Sequence, residues 1–226
     1  KAFRVAGDRE PYYPGSEERH KMFVEHHPDA DQIGSRGEGK VPWTLMHHLD
    51  PNDADDICFN MESWCGQTSE VALPASTVAE YIDRAVDFCN DRVWGTLNAS
   101  IIVHPKSLKD RAVHDAVERA IANLRYGSVA VNHWAGIVYG MVSTTWGAFP
   151  GHGIEDIRSG QGVVHNTYMF DEPQKSVLRG PFRPFPKPPW FLDHKNAVDV
   201  GRKVAYFNAD PSLMRLPGLL LASLRG

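Results

Sequence analysis

The stretch LRYGSVAVNHW, residues 124–134, decides the fold. Gly127 ends an apolar helical pattern, and the run Ser128–Val131 directly after it, which carries two valines, predicts a short strand. A helix that leads into a strand through a short connection is typical of an α/β unit, in which the chain returns to a sheet.

The residues before this stretch complete a strand–helix–strand unit. Residues 96–103 contain an apolar run between Gly95 and Pro105, which predicts a buried strand. Ser107 and Asp110 predict a helix start, and the helix carries an apolar stripe made of Val113, Ala116, Val117, Ala120, Ile121 and Leu124. Because a strand, a crossover helix and a second strand follow one another, the two strands are predicted to be parallel.

Another amphipathic helix precedes this unit. Thr77 and Glu80 form a capping box, and apolar residues follow at helical spacing: Val78, Tyr81, Ile82, Ala85, Val86 and Cys89. Upstream, residues 1–74 predict loop apart from one helix from Glu17 to about His27, with Ser16 as its N-cap.

The downstream part predicts a change of organisation near residue 180. Residues 162–169 and 175–179 predict two strands joined by a polar turn, and five prolines within residues 181–190 predict a rigid connector. Two helices are expected in the tail, one over about 196–207 and one that begins at 211–212. The predicted division is a domain over residues 1–180, followed by a Pro-rich connector and helical tail over 181–226.

Composition excludes several classes of protein. The 226 residues include 24 Lys and Arg against 28 Asp and Glu, a formal net charge of −4, so no nucleic-acid partner is expected. With 42% hydrophobic residues the chain is expected to fold as a globular protein. Three cysteines favour a reducing, cytoplasmic location, and neither a membrane span nor a signal peptide is predicted.

The eleven histidines include two adjacent pairs, His26-His27 and His47-His48. Adjacent side chains point apart on a continuous helix or strand, and neither H-x-x-x-H nor C-x-x-C occurs, so no metal site is predicted. No glycine-rich phosphate loop is present either.

The functional search starts where the second strand of the unit ends. Ligands of open parallel sheets bind outside the carboxyl ends of the strands, which points to Asn132, His133 and Trp134. Cys65, which lies beside Gly66, is the alternative candidate for a functional residue, as a nucleophile. Free cysteines, however, are usually inert core residues.

Four motifs together resemble the aldehyde dehydrogenase family. FCNDRVWGTLNAS (88–100), LRYGSVAVN (124–132), TWGA (145–148) and SGQG (159–162) are similar to that family's catalytic-domain motifs, in the same order, over roughly Ile57 to Val177. The resemblance implies a parallel, doubly wound sheet of the aldehyde dehydrogenase catalytic-domain type. It also implies an oxidoreductase that oxidises an aldehyde to a carboxylic acid with NAD or NADP, a cofactor expected to be bound mainly by a domain that is absent from this chain.

The resemblance also implies roles for single residues. MESWCG, residues 61–66, is similar to the family motif in which a glutamate holds the nicotinamide ribose and an aromatic residue packs near the nicotinamide, so Glu62 and Trp64 are the expected cofactor contacts. The substrate tunnel is expected to be lined by residues after the second strand and by the aromatic residue of TWGA: Asn132, His133, Trp134 and Trp146.

Two family motifs do not occur in this sequence: the Q-x-C of the nucleophile and the E-L-G-G of the general base. We therefore expect no catalytic residue in this chain, and expect it to work as one wall of the site together with the rest of the same enzyme, without activity on its own. The alternative is a non-catalytic interaction or oligomerisation module with the same fold. Residues 162–179 resemble strands that pair across subunits, so a homo-oligomer is expected. Residues 211–226 predict a tail that either packs on the protein or contacts a membrane surface through its leucines.

Overall fold

A computed structural model describes residues 2–7, 10–35 and 39–226. The chain divides into two compact units, one over positions 8–182 and one that combines positions 1–7 with 183–226. The larger unit contains the strand–helix–strand segment and both groups of candidate site residues. The class is mixed α/β with a parallel sheet, as predicted, and the described strands form sheets of three, three and two strands.

The first sheet of the larger unit consists of β1 (Asp31–Ile33), β2 (Trp43–Leu49) and β3 (Gln67–Val71), in that order. β1 is antiparallel to β2, and β2 is parallel to β3. Two helices, α2 (Ser16–His26) and α3 (Ile57–Asn60), accompany it. The prediction that this region is loop outside one helix was wrong. Its strands are short and mix polar with apolar residues, so they carry no clear period of two.

The start of α2 also differs from its prediction. Gly15, with φ 77°, occupies the N-cap position, and Ser16 is the first helical residue. The Ser16 hydroxyl donates to the carbonyl oxygen of Tyr13 at 2.6 Å and lies 3.2 Å from that of Trp64. Ser16 therefore ties two loops together instead of capping the helix.

The second sheet contains the predicted parallel pair. β4 (Asn98–Ile101) and β5 (Ser128–Val131) are parallel, which confirms the prediction, and β8 (Ser176–Arg179) adds a third parallel strand beside β5. α5 (Arg111–Asn123) is the crossover helix and packs against α4 (Val78–Asp91).

The main core lies between these two helices and the second sheet. β5 is buried over its full length, because it is the middle strand. Its apolar residues form one cluster with those of α4, α5 and the adjacent loops: Val86, Val103, Val117, Ala120, Ile121, Leu124, Tyr126, Val129 and Val131. This cluster holds the strand ends that carry the predicted substrate residues.

The caps of the two helices are close to the predicted ones. The Thr77 side chain accepts from the Glu80 N–H at 3.1 Å, while the Glu80 carboxylate accepts from the Ser76 N–H. Asp110 caps α5 by accepting from the Ala112 N–H at 2.9 Å. Ser107 instead lies in a short 3-10 helix before α5, which corrects its predicted place at the cap.

Gly127 joins all three strands of the second sheet. Its N–H donates to the Thr96 carbonyl at 2.9 Å, and its own carbonyl accepts from the Ser176 N–H at 2.9 Å. A Cβ at Gly127 would lie 1.8 Å from the carbonyl oxygen of Gly147, so only glycine allows this close approach.

Lys175 closes the carboxyl end of α5. Its ammonium group donates to the carbonyl oxygens of Ile121, Ala122 and Leu124. These are carbonyls that the end of a helix leaves without intrahelical partners. The lysine comes from the residue before β8, so the third strand and the helix end are joined by one side chain.

The remaining strands correct the prediction for residues 162–179. β6 (Trp146–Gly147) and β7 (Val163–Val164) form a two-residue antiparallel pair, whereas β8 belongs to the second sheet. The two predicted strands therefore lie in different sheets. A short helix, α6 (Ile137–Met141), lies between β5 and β6 in the chain.

The smaller unit is helical. It contains α1 (Ala2–Ala6), α7 (Ala197–Ala209), a 3-10 turn at Leu213–Arg215 and α8 (Leu216–Ser223), and α7 packs against α8. The final helix begins later than predicted because Pro217, which has no N–H to donate, lies in its first turn. Within the described ranges, no helix has both the length and the apolar character needed to cross a bilayer.

Candidate functional site

A pocket of about 410 Å³ lies beside the first sheet, and we call it the aromatic pocket. Glu62 and Trp64, the two predicted cofactor contacts, both line it. Its other lining residues come from three separate segments of the chain: Glu10, Pro11, Tyr12, Tyr13, Val41, Trp43, Ser63, Cys65 and Gly66. The fold therefore gathers four aromatic rings and two carboxylates around one space.

The Trp64 ring is held at the wall of the aromatic pocket by an unusual backbone and a second ring. Trp64 has φ 55°, in the left-handed region that non-glycine residues seldom adopt. Its ring packs edge-on against Tyr13, with centroids 4.8 Å apart, and Tyr13 packs against Tyr12 at 5.0 Å. The Ser16 hydroxyl lies 3.2 Å from the Trp64 carbonyl. These contacts leave 40% of Trp64 exposed.

Glu62 supplies a carboxylate at the same wall. Burial raises the pKa of Glu62, and the positive charge of Arg19 on α2 lowers it in part. Arg19 also donates from Nη1 to the Glu62 carbonyl oxygen at 3.2 Å, which fixes the backbone at this residue. The site thus combines an acceptor group with a nearby cation.

Cys65 lines the aromatic pocket with a partly buried thiol. Burial raises the pKa of Cys65, and the Gln67 side-chain amide donates to its Sγ at 3.0 Å, which only partly opposes the effect of burial. A raised thiol pKa lowers the fraction of thiolate, the nucleophilic form, at neutral pH. The raised pKa therefore weighs against the nucleophilic role that the sequence leaves open for Cys65.

Trp43 closes the pocket over Gly66. A Cβ at Gly66 would lie 2.8 Å from the Trp43 ring, so the indole packs directly on glycine backbone. The Gly66 carbonyl accepts from the Thr44 N–H at 3.0 Å, just before β3 begins. This contact sets the position of the loop 61–66 against β2.

Asn132 ends β5 in a left-handed conformation, with φ 56°. Its Oδ1 accepts from the Val103 N–H at 2.8 Å, so the side chain reaches across to the segment after β4. Asn132 therefore holds the ends of β4 and β5 together, a positioning role that does not require a bound ligand. The Ser100 hydroxyl accepts from the Ala135 N–H at 3.1 Å and holds the next turn.

His133 and Trp134 lie at the carboxyl edge of the second sheet, where the sequence predicts them. A Cβ at Gly180 would lie 2.7 Å from the His133 ring, so His133 packs against the chain that leaves β8. Trp134 covers Gly136 and is 53% exposed. Both side chains thus lie beyond the ends of parallel strands, the position at which such sheets bind ligands.

Trp146 belongs to a different aromatic group. Its ring packs against Tyr139 of α6 with centroids 5.8 Å apart, and Tyr139 also contacts His165 at 5.0 Å. Because α6 follows Trp134 closely in the chain, Trp146 is linked to the sheet edge through this helix. Asn132, His133, Trp134 and Trp146 do not line the aromatic pocket.

The structure thus brings Glu62 and Trp64 together and forms a second group at the sheet edge. Sequence reasoning missed the residues that complete the aromatic pocket, mainly Tyr12, Tyr13 and Trp43. The adjacent tyrosines within a Pro- and Gly-containing loop were a usable signal, since aromatic residues in such loops commonly serve packing or recognition.

The chain was compared with models of protein families, with curated proteins and with solved structures. None of them matches it. The chemistry of the two residue groups therefore carries the functional proposal.

Proposed function

We propose that this chain forms one wall of the active site of an NAD(P)-dependent aldehyde dehydrogenase. The observation that carries the proposal is that Glu62 and Trp64, the residues that resemble the family's cofactor contacts, line the same aromatic pocket. On this proposal the parallel sheet β4-β5-β8 is part of a doubly wound sheet of the aldehyde dehydrogenase type.

The aromatic pocket suits the nicotinamide end of a dinucleotide. Carboxylate oxygens accept hydrogen bonds from ribose hydroxyls, and aromatic faces pack against a planar ring, so Glu62 and Trp64 fit these two halves of a nicotinamide riboside. When bound, NAD or NADP supplies the hydride acceptor. The aldehyde is proposed to lie toward His133, Trp134 and Trp146, with the nucleophile and the base supplied by the rest of the enzyme.

A specific observation favours the alternative, a non-catalytic interaction module. Tyr168, Met169 and Phe170 are all exposed between β7 and β8, and clustered exposed apolar side chains favour contact with another protein. The occupant that we propose is a second copy of this chain, in a homo-oligomer. This surface is compatible with the enzyme proposal, since a subunit of an enzyme also forms such contacts.

Location is proposed on two observations. The three free cysteines, Cys58, Cys65 and Cys89, favour the reducing cytoplasm. Within residues 211–226 the charged side chains are Arg215 and Arg225, and Leu220 and Leu224 are exposed. Peripheral contact of this tail with a membrane surface through its leucines is therefore part of the proposal.

Energy transfer from tryptophan to NADH and NADPH, measured on the complete enzyme of which this chain is proposed to form one wall, tests the cofactor proposal. Glu62→Gln should weaken binding about ten- to a hundred-fold, because a charge-assisted hydrogen bond contributes about 1.5–3 kcal/mol. Glu155→Gln, a surface carboxylate outside the pocket, should leave binding unchanged. Equal affinities for both variants would refute the assignment of Glu62.

Trp64→Phe provides a second, independent arm of the same measurement. Trp64 and Trp94 are 40% and 38% exposed, so Trp94→Phe is a matched control. Energy transfer should fall in Trp64→Phe and persist in Trp94→Phe. If the complete enzyme binds neither dinucleotide while this chain assembles into oligomers that Tyr168→Ser disrupts, the interaction module replaces the enzyme proposal.

A further inference from the structure

Two histidines and a buried aspartate meet where α2 ends and α3 begins. His26 is the last residue of α2, His27 follows it, and Asp56 is the N-cap of α3. One ligand atom from each of the three side chains lies within 4.8 Å of the others. Among residues 2–7, 10–35 and 39–226, it is the group of three or more His, Cys, Asp or Glu side chains whose ligand atoms lie close enough to one another to hold a metal ion.

A small apolar cluster explains why the two helices meet here. Phe23 on α2 and Phe59 on α3 are both nearly fully buried and pack with Met46 and Leu49 of β2. Phe23 precedes His26 by one turn, and Phe59 follows Asp56 by one turn. Packing of the two phenylalanines therefore sets the distance between the histidines and the aspartate.

The end of α2 removes the restriction that excluded this pair in the sequence. His27 has φ −123° and ψ 75°, outside the helix, while its N–H still donates to the Phe23 carbonyl. The angular separation of neighbouring residues on a continuous helix does not apply across this junction. The His26 and His27 rings instead lie with centroids 5.0 Å apart.

The distances suit a small ion. Tetrahedral sites with metal–ligand bonds of about 2.0–2.1 Å place neighbouring ligand atoms about 3.3 Å apart. His27 Nε2 and Asp56 Oδ1 are 3.1 Å apart already. His26 is exposed, so rotation of its side chain can bring a ring nitrogen within bonding distance of an ion held by His27 and Asp56, without repacking of the core.

The carboxylate also suits a cation. The Asp56 side chain is only 4% exposed, and its Oδ1 accepts from the Cys58 N–H at 2.8 Å. Carboxylates buried to this extent are normally paired with a cation or coordinated to a metal. The Asp56 Oδ1 that faces His27 Nε2 is therefore placed to bind a cation together with the imidazole.

We propose that His26, His27 and Asp56 bind one divalent transition-metal ion of the zinc or iron(II) type. Two imidazole nitrogens and one carboxylate oxygen are a donor set used by both metals, whereas calcium and magnesium prefer oxygen ligands only. Solvent completes the coordination at the exposed His26 side. The bound ion ties the end of α2 to the start of α3, a role independent of the aldehyde dehydrogenase proposal.

Calorimetric titration of the full chain with Zn²⁺ and Co²⁺, combined with thermal unfolding, tests the site. We expect one ion per chain and a higher Tm with the ion, since a ligand that binds only the folded state stabilises it. His26→Ala should weaken binding at least about tenfold, because even loss of an outer-shell partner of a metal commonly costs that much. His26 is exposed, so this variant should unfold at the wild-type temperature without metal.

Two further variants exclude trivial explanations. Asp56→Asn keeps an oxygen that can cap α3 but removes the charge, so it should fold and lose the ion-dependent rise in Tm. The double variant His47→Ala/His48→Ala removes the other adjacent pair, which lies 3.5 and 3.6 Å from Glu70, and should keep binding. The proposal is overturned if the wild type binds no ion with this stoichiometry. It is also overturned if His26→Ala binds as the wild type does, or if only the double variant loses the ion.

Discussion

Replacement of Gly127 by alanine should strongly destabilise the larger unit. The added Cβ would lie 1.8 Å from the Gly147 carbonyl oxygen, 2.8 Å from the Gly147 carbonyl carbon and 2.9 Å from that of Ala148. All three atoms belong to the backbone, so no side-chain rotation relieves the contacts. Either the start of β5 or the segment around β6 has to move by more than about 1 Å, since favourable contacts between carbon atoms lie near 3.5–4.0 Å.

The size of the effect follows from what such a movement breaks. Overpacking in a core typically costs about 1–3 kcal/mol. The Gly127 N–H and carbonyl bond to Thr96 and Ser176 at 2.9 Å, and loss of each backbone hydrogen bond adds about 1 kcal/mol. Together these give about 3–5 kcal/mol, a large fraction of the about 5–15 kcal/mol that holds a typical domain folded.

Urea unfolding followed by far-ultraviolet circular dichroism measures the loss. Gly140→Ala is the matched control in the same unit, because a Cβ there meets only the Ile137 side chain, at an ordinary 3.8 Å. Alanine also favours a helix over glycine, so this control should be neutral or slightly stabilising. If Gly127→Ala unfolds within about 1 kcal/mol of the wild type, the close approach of β5 to Gly147 is wrong.

Three other predictions concern Tyr126, Cys65 and the leucines of the tail. Tyr126→Phe removes a hydroxyl that donates to the Cys89 carbonyl at 2.9 Å and should lower the free energy of unfolding by about 0.5–1.5 kcal/mol in urea titrations, whereas an unchanged value would contradict the bond. Iodoacetamide should alkylate Cys65 slowly at neutral pH and faster as the pH rises past 9.0, the ordinary thiol pKa, because burial raises the pKa of this thiol. The expectation that Cys65 is unreactive would be contradicted if this chain formed NADH in the presence of an aldehyde and Cys65→Ala abolished that activity. Liposome binding should persist at high salt and disappear in Leu220→Ser/Leu224→Ser, since each buried leucine contributes about 1.5–3 kcal/mol. If the wild-type chain stays in the supernatant with liposomes at low salt, the proposed membrane contact is wrong.

The parts of the fold that the sequence predicts are those with strong local signals. α4 and α5 have capping residues and long apolar stripes, and β5 begins directly after Gly127, so these elements and their parallel pairing were predictable. The prediction that Gly127 ends the helix was wrong, because α5 ends at Asn123 with Leu124 as its C-cap. β3 was not, because its residues Gln67–Val71 are mostly polar and it depends on pairing with β2. Strand pairing across such distances in sequence leaves no local pattern.

The candidate site was predictable to a similar degree. Glu62 and Trp64 are two residues apart, so one motif predicts both. The residues that pack against Trp64 come from a loop about 50 residues earlier. Their position beside Trp64 depends on the Ser16 hydroxyl and on a left-handed backbone at Trp64. The bond of the Ser16 hydroxyl and the left-handed backbone at Trp64 both depend on tertiary contacts, and neither has a signal in the local sequence.

The bonds of Lys175 to the end of α5 have a consequence for synthesis of the chain. The strand β4, the helix α5 and the strand β5 leave the ribosome more than forty residues before Lys175 does. Until then β5 lacks its neighbour β8, and the last carbonyls of α5 must be solvated. A nascent chain that ends before Lys175 therefore exposes one edge of β5, a strand in which three of the four residues are apolar, and open strand edges of this kind favour aggregation. Emergence of one lysine and four strand residues closes the helix end and the sheet edge in the same step.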